Sequence, residues 1–148
     1  METPVARYEI STDVDCLDFD IIHRFLADES YWARGIPRAT PERAIGNSLC
    51  FGVYRGEEQV GFARVVTDKA TFALLSDLFI LPGHRGRGLS KALTRRIVDH
   101  DLQGLRRLLL LTTDAQELYR QFGFEELTNV WRFMEVLQQD PYGASLPG

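Results

Sequence analysis

The sequence has little with which to ligate a metal, cross a membrane or bind nucleic acid. It contains two cysteines, Cys16 and Cys50, far apart and outside any CxxC, and three scattered histidines, His23, His84 and His100. No zinc-type spacing exists, so no metal is expected and the thiols read as free and buried. No window approaches the roughly 18 apolar residues of a membrane span. The opening "METPVARYEI" has no basic stretch leading into an apolar one, so neither a secretory signal nor a transit peptide is seen, and a cytoplasmic location is expected. The formal net charge of −4 argues against general nucleic-acid binding, whose affinity depends on neutralising phosphates.

At 148 residues the chain suits one domain spanning 1–148, with 138–148 as a loosely ordered tail. "YEIST" reads as an opening strand. Leu17, Ile21, Ile22, Phe25 and Leu26 then recur at helical spacing behind Asp15 or Asp18 as a cap. A second helix is predicted with Thr40 as N-cap, Pro41 at its first position, and Ala44, Ile45 and Leu49 on one face. Between the two helices lies the aromatic, arginine-bearing loop "ESYWARGIPR".

"CFGVYR", "VGFARVVT" and "ATFALLSDLFIL" form an antiparallel meander, with the last strand, apolar on both faces, in the centre. Leu89, Leu93 and Ile97 mark a helix that stops at Gly104, and "RRLLLLTT" has the pattern of a strand covered on both faces. Strand, helix and strand in this order make a right-handed crossover with parallel strands. A further helix carries Ala115, Leu118, Tyr119 and Phe122, and "WRFMEVL" is a closing strand. The fold class is α/β: a mixed, mostly antiparallel sheet with one parallel crossover pair, flanked by about four helices.

Charge is unevenly spread. From Leu78 to Val98 there is no acidic residue, while Arg85, Arg87, Lys91, Arg95 and Arg96 all fall there, among Gly83, Gly86 and Gly88. Gly83 and Gly88 match the GxxxxG of a P-loop and Ser90 its hydroxyl position, but Leu89 stands where its lysine must reach the phosphates. Gly86 and Gly88 begin a GxGxxG, but Lys91 replaces the third glycine. A plain glycine turn capping a helix would leave the arginines without a reason. A strand end, a loop of converging N–H groups and a helix N-terminus together suit a pyrophosphate.

"LFILPGHRGRGLSKAL" resembles the acetyl-CoA motif of the Gcn5-related N-acetyltransferases (GNAT), Arg/Gln-x-x-Gly-x-Gly/Ala. Arg85 matches its first position and Gly88 its fourth, while Ser90 replaces the last small residue. "AQELYRQFGF" is similar to the family's second hallmark, a helix with Tyr followed shortly by Gly-Phe. The order of elements fits the family up to about Leu137.

The resemblance implies an acetyl-CoA-dependent N-acetyltransferase acting by direct transfer to a primary amine of a small molecule or peptide. The alternative is a non-catalytic CoA-binding regulatory module. It implies a bulge at Phe79, Ile80 and Leu81 whose backbone bonds the pantetheine arm, N–H groups of Arg85, Gly86, Arg87, Gly88, Leu89 and Ser90 around the pyrophosphate, and an oxyanion donor near Ile80.

It also places Tyr119 as general acid toward the departing thiolate, although Tyr119 equally suits a core aromatic. Asp77, a lone carboxylate in an apolar strand, is either the general base or a structural acceptor. Asp114 fits an N-cap with Glu117 as its capping-box partner better than a base. Glu29, where the loop begins, is a more remote base. Tyr31 and Trp32 wall an amine pocket or tuck against the sheet, and Arg34 and Arg38 are placed to meet a carboxylate. The acceptor, further acyl groups and the oligomeric state stay open, a homodimer included.

Overall fold

The structure is a computed structural model that describes residues 7–143. Its five strands are β1 (Glu9–Ser11), β2 (Leu49–Arg55), β3 (Glu58–Thr67), β4 (Phe72–Ile80) and β5 (Arg107–Leu110). They lie side by side in chain order, antiparallel except for the parallel β4–β5 pair. Helices α1 (Phe19–Arg24), α2 (Ala39–Gly46), α3 (Leu89–Arg96) and α4 (Gln116–Arg120) flank the sheet. α1 and α3 each run on into a π-helical turn, Phe25–Glu29 and Ile97–Asp101.

Successive strand residues point to opposite faces, and this separates two cores. Phe51, Ala63 and Ile80 join Leu89, Leu93 and Ile97 of the α3 segment on one face. Cys50, Phe62 and Phe79 join Ile22, Phe25 and Ile45 from the α1–α2 side on the other. Phe79 stacks on Phe25 with ring centroids 4.0 Å apart. Arg96 reaches from α3 to the far strand, donating to the Ile10 carbonyl at 3.2 Å.

Asp18 caps α1 by accepting from the Asp20 and Ile21 N–H groups. Several predicted details differ. α2 begins at Ala39, with Thr40 already inside it and its N–H donating to the Pro37 carbonyl, so Thr40 is no cap; Leu49 belongs to β2. The centre of the sheet is β3, because β1 and β2 both lie beyond it. Cys16 is exposed, and only Cys50 is buried. The Asp114 cap does not form either: Thr112 Oγ1 accepts the Asp114 and Ala115 N–H groups ahead of α4.

The apolar run after α3 yields a four-residue strand, half-covered rather than enclosed, with Leu111 79% exposed. "WRFMEVL" does not form a strand: Val130–Arg132 make a 3₁₀ turn and the following residues join no strand of the described sheet. In the tail, Tyr142 is half-buried against the second core, whereas residues 144–148 lie outside the described residues.

The β4 bulge falls at Ser76, between the register pairs Val65–Leu75 and Arg64–Asp77, not at Phe79–Leu81, where Phe79 and Ile80 face Phe62 and Gly61 in regular pairing. β5 keeps to β4 only over Phe72–Leu75. The parting of the strands thus begins at the bulge.

On β2 the Tyr54 ring folds over Gly52, where a Cβ would stand 2.3 Å from its hydroxyl. That hydroxyl is buried without a partner, and burial pushes its pKa up to about 12. An unpaired buried hydroxyl costs on the order of 1–3 kcal/mol. Tyr54→Phe should therefore leave stability in urea unchanged or raise it by about 1 kcal/mol. A loss of that size would mean the hydroxyl has a partner in solution.

Candidate active site

The glycine loop continues directly from the end of β4. Pro82–His84 form a 3₁₀ turn, and Gly86 (φ 78°) and Gly88 (φ 77°) then adopt the left-handed backbone that suits glycine. A Cβ added at Gly83 or Gly86 would meet nothing within 4 Å, so the loop surface is open. Gly88 stands at the N-cap of α3 and offers no side-chain acceptor, which leaves the first N–H groups of that helix for a ligand. Ile80, Arg85, Gly86, Gly88, Leu89 and Ser90 line a cavity of about 200 Å³ here, together with His84, Lys91 and Leu118.

Phe79, Leu81 and Arg87 lie outside that cavity. Phe79 faces the other core, Leu81 packs against the same cluster, and Arg87 is half-buried beside the loop. His84 is a lining residue that the sequence did not single out, and its Nδ1 is 2.9 Å from the Tyr8 hydroxyl. Ser90 is half-buried on the cavity wall, its carbonyl accepting from Thr94 Oγ1 at 2.7 Å.

The outer edge of β4 follows from the register. Leu81 N–H donates to the Val60 carbonyl at 2.8 Å, so Ile80, one residue back, turns its N–H and C=O away from β3. Leu78 faces the same way. The Ile80 carbonyl on that edge accepts from Arg85 Nε at 2.8 Å. β5 has already parted from β4 at this height, so the Ile80 and Leu78 N–H groups face the gap between the strands.

Asp77 is 6% exposed, and both its oxygens are engaged. Oδ1 accepts from Trp32 Nε1 and Oδ2 from Arg64 Nε, each at 2.7 Å. Arg64 also donates to Ser76 Oγ at 2.7 Å and Ser48 Oγ at 3.3 Å. Arg64 was missed in the sequence, although a signal exists: single opposite charges in two apolar strands of one meander.

The loop carrying Trp32 is held from below. Ser30 Oγ donates to the Leu26 carbonyl and accepts from the Ala33 N–H, and His23 Nε2 lies 2.9 Å from the Ile36 carbonyl. Tyr31 stacks edge-on against Trp32, and its hydroxyl accepts from the Thr113 N–H at 3.3 Å, across the parted strands. Tyr31, Trp32 and Arg34 are all exposed, whereas Arg38 pairs with Asp20 and Glu42 on the surface.

Tyr119 is 9% exposed and lines a second, larger cavity of about 700 Å³ beside β5. Burial, with Tyr31 and Asp114 nearby, raises its pKa above the ordinary phenol value, so it stays protonated at neutral pH. The structure thus brings Ile80, Asp77, Trp32 and Tyr31 to the parted strands, with Tyr119 lining the cavity beside β5.

A family model described as an acetyltransferase (GNAT) domain matches residues 46–126. A proposed acetyltransferase of Gibberella zeae is 37% identical over 134 residues, spanning 76% of this chain and 75% of that one. A soybean protein named histone acetyltransferase TAP1 is 39% identical over 127 residues; the match takes in 76% of this chain but only 53% of that longer protein. The crystal structure of a proposed GNAT acetyltransferase from Xanthomonas campestris pv. campestris superposes with a TM-score of 0.88 at 48% identity, covering 91% of this chain and 96% of that one.

Removing one member of a buried ion pair strands the other. Arg64→Met should cost about 3 kcal/mol in urea unfolding, and the double change Arg64→Met/Asp77→Leu should cost less than the single one. A single change costing under about 1 kcal/mol would show that the pair does not hold β3 to β4. Since the folded-state pKa of Tyr119 is raised, its contribution to stability is complete below the ordinary phenol value of about 10 and is lost as the pH rises beyond it through the higher folded-state value. Phenolate absorbance should therefore show two late-ionising tyrosines, Tyr54 and Tyr119, and Tyr119→Phe should remove one of them.

Proposed function

Because the chain belongs to the GNAT family of acetyltransferases and is an N-acetyltransferase, we propose that it transfers an acetyl group from acetyl-CoA directly to a primary amine of a small molecule or peptide. The whole chain acts as one acetyltransferase domain, in the cytoplasm. One observation carries this reading: an uncapped helix start and two left-handed glycines lead straight from a strand edge whose N–H groups face an open gap.

The residues fit that donor. The loop and the start of α3 present main-chain N–H groups to a pyrophosphate, and Arg85 and Lys91 add charge beside them. The outward groups of Leu78 and Ile80 run along the pantetheine arm as a neighbouring strand would. Acetyl-CoA supplies an activated acetyl group as a thioester and leaves as the thiol. The Ile80 N–H donates to the thioester carbonyl oxygen, where negative charge grows as the amine attacks. Tyr119, kept protonated by its surroundings, gives its proton to the departing sulfur.

Tyr31 and Trp32 wall the acceptor side, and Arg34 stands at its rim. Asp77, committed to Trp32 and Arg64, takes the positioning role of the two open in the sequence: it fixes the Trp32 indole rather than accepting the amine proton, which passes to water. Asp77→Asn keeps an oxygen for Trp32, so turnover should stay within about tenfold with an unchanged pH profile. A loss of 10²-fold or more, with one limb of the profile gone, would restore the general-base role.

Tyr119→Phe should lower kcat about 10²-fold with little change in acetyl-CoA affinity, measured as thiol release. Gly88→Trp should abolish the thermal shift given by acetyl-CoA, judged against that variant's own unliganded Tm. A panel of amines assayed for acceptor-dependent thiol release tests the reaction itself. Stabilisation by acetyl-CoA without release for any amine would remove the transfer proposal.

A further inference from the structure

The gap between β4 and β5 is a wedge. Its apex is their last register pair, Leu75–Leu110, and it opens toward the glycine loop. Leu78 and Thr113 each lie three residues past that pair, which sets them about level on its two sides. Tyr31 spans the wedge at this level: its hydroxyl accepts from the Thr113 N–H at 3.3 Å, while its own loop is tied to β4 through Trp32 and Asp77.

Both ends of this span are fixed. Trp32 abuts the Tyr31 ring edge-on with centroids 5.1 Å apart, and its indole N–H is held by Asp77 at 2.7 Å. The Gly35 N–H donates to the Ala27 carbonyl at 2.9 Å, closing the loop behind them. On the far side, Thr112 Oγ1 accepts from the Asp114 and Ala115 N–H groups, and Gln116 Nε2 donates to the Thr112 carbonyl at 3.2 Å, which steadies Thr113. The ring between these anchors is nonetheless 56% exposed. It fills no core; it bounds the space in which the strands part.

We propose, resting on the acetyl-transfer reading, that Tyr31 sets the length of the acyl group the donor can carry. Its ring is the end wall of the acyl pocket, admitting acetyl and propionyl thioesters and excluding butyryl and longer ones. The pyrophosphate lies at the glycine loop, so the pantetheine arm runs back along β4 from Arg85 toward Leu78, and the acyl tail leads toward the apex. With the thioester carbonyl held at the Ile80 N–H, the two residues from Ile80 to Leu78 span about 7 Å. A carbon-to-carbon contact with the ring takes about 3.5–4 Å of that and leaves roughly 3 Å. One or two carbons fit beyond the carbonyl. A third meets a ring that Trp32 and Thr113 keep from swinging aside.

Isothermal titration of the full chain with free CoA, acetyl-CoA, propionyl-CoA and butyryl-CoA reads this pocket without an acceptor. The wild type should bind acetyl-CoA and propionyl-CoA alike and butyryl-CoA at least about tenfold more weakly, as a filled apolar pocket treats an added methylene. Tyr31→Ala should remove that penalty while binding free CoA, which has no acyl group, as the wild type does. Tyr31→Phe keeps the ring but loses the bond to Thr113, so its penalty should fall between the two. Equal binding of all three thioesters by the wild type overturns the proposal, as does a butyryl penalty unchanged in Tyr31→Ala or a loss of free CoA in that variant. Binding of no CoA species by the wild type would overturn the donor reading itself, an outcome distinct from equal binding.

Discussion

The parting of β4 from β5 is the constraint on which the rest depends. The two strands share four residue pairs and separate where Ser76 bulges from the β3 ladder. Had they stayed paired, the outward N–H groups of Leu78 and Ile80 would be spent on β5, and the sheet would have no edge to offer a ligand. The glycine loop begins where that edge ends, so main-chain donors continue from strand into helix N-terminus without interruption.

Holding a sheet partly open requires rigid neighbours. Arg64 ties β3 to both residues at the bulge, through Asp77 and Ser76, and Asp77 carries the tie on to Trp32. Tyr31, one residue earlier, bonds to the loop after β5. The α1–α2 loop therefore spans the gap and touches both of its sides. A buried ion pair is weak evidence of net stability, but removing one member is costly, so this network can fix geometry without adding much to the folding energy. Phe79, stacked on Phe25, anchors the same stretch of β4 to the opposite core.

Much of this was legible in the chain. The meander, the crossover helix and the parallel pair followed from alternation, helical spacing and Gly104. The loop was legible because its glycines and basic residues stand in a 21-residue stretch without an acid, Leu78 to Val98. Details set by local competition were not. Thr40 and Asp114 both fit capping patterns, yet α2 starts two residues earlier and Thr112 bonds the N–H groups ahead of α4. "RRLLLLTT" looks enclosed because leucines fill it, but the composition of a strand does not say whether its second edge finds a partner.

By itself, then, the sequence determined the order of elements as far as α4, the family and the glycine loop with its basic residues, because each depends on residue type and spacing within a short stretch. Only the tertiary structure decided where the bulge lies, that Asp77 is held by Arg64 and Trp32, and that Tyr31 reaches Thr113. The physical reason is separation along the chain: Trp32 and Asp77 lie 45 residues apart and Tyr31 and Thr113 lie 82 apart. Register and the packing of two cores bring them together, and neither is written in any local pattern.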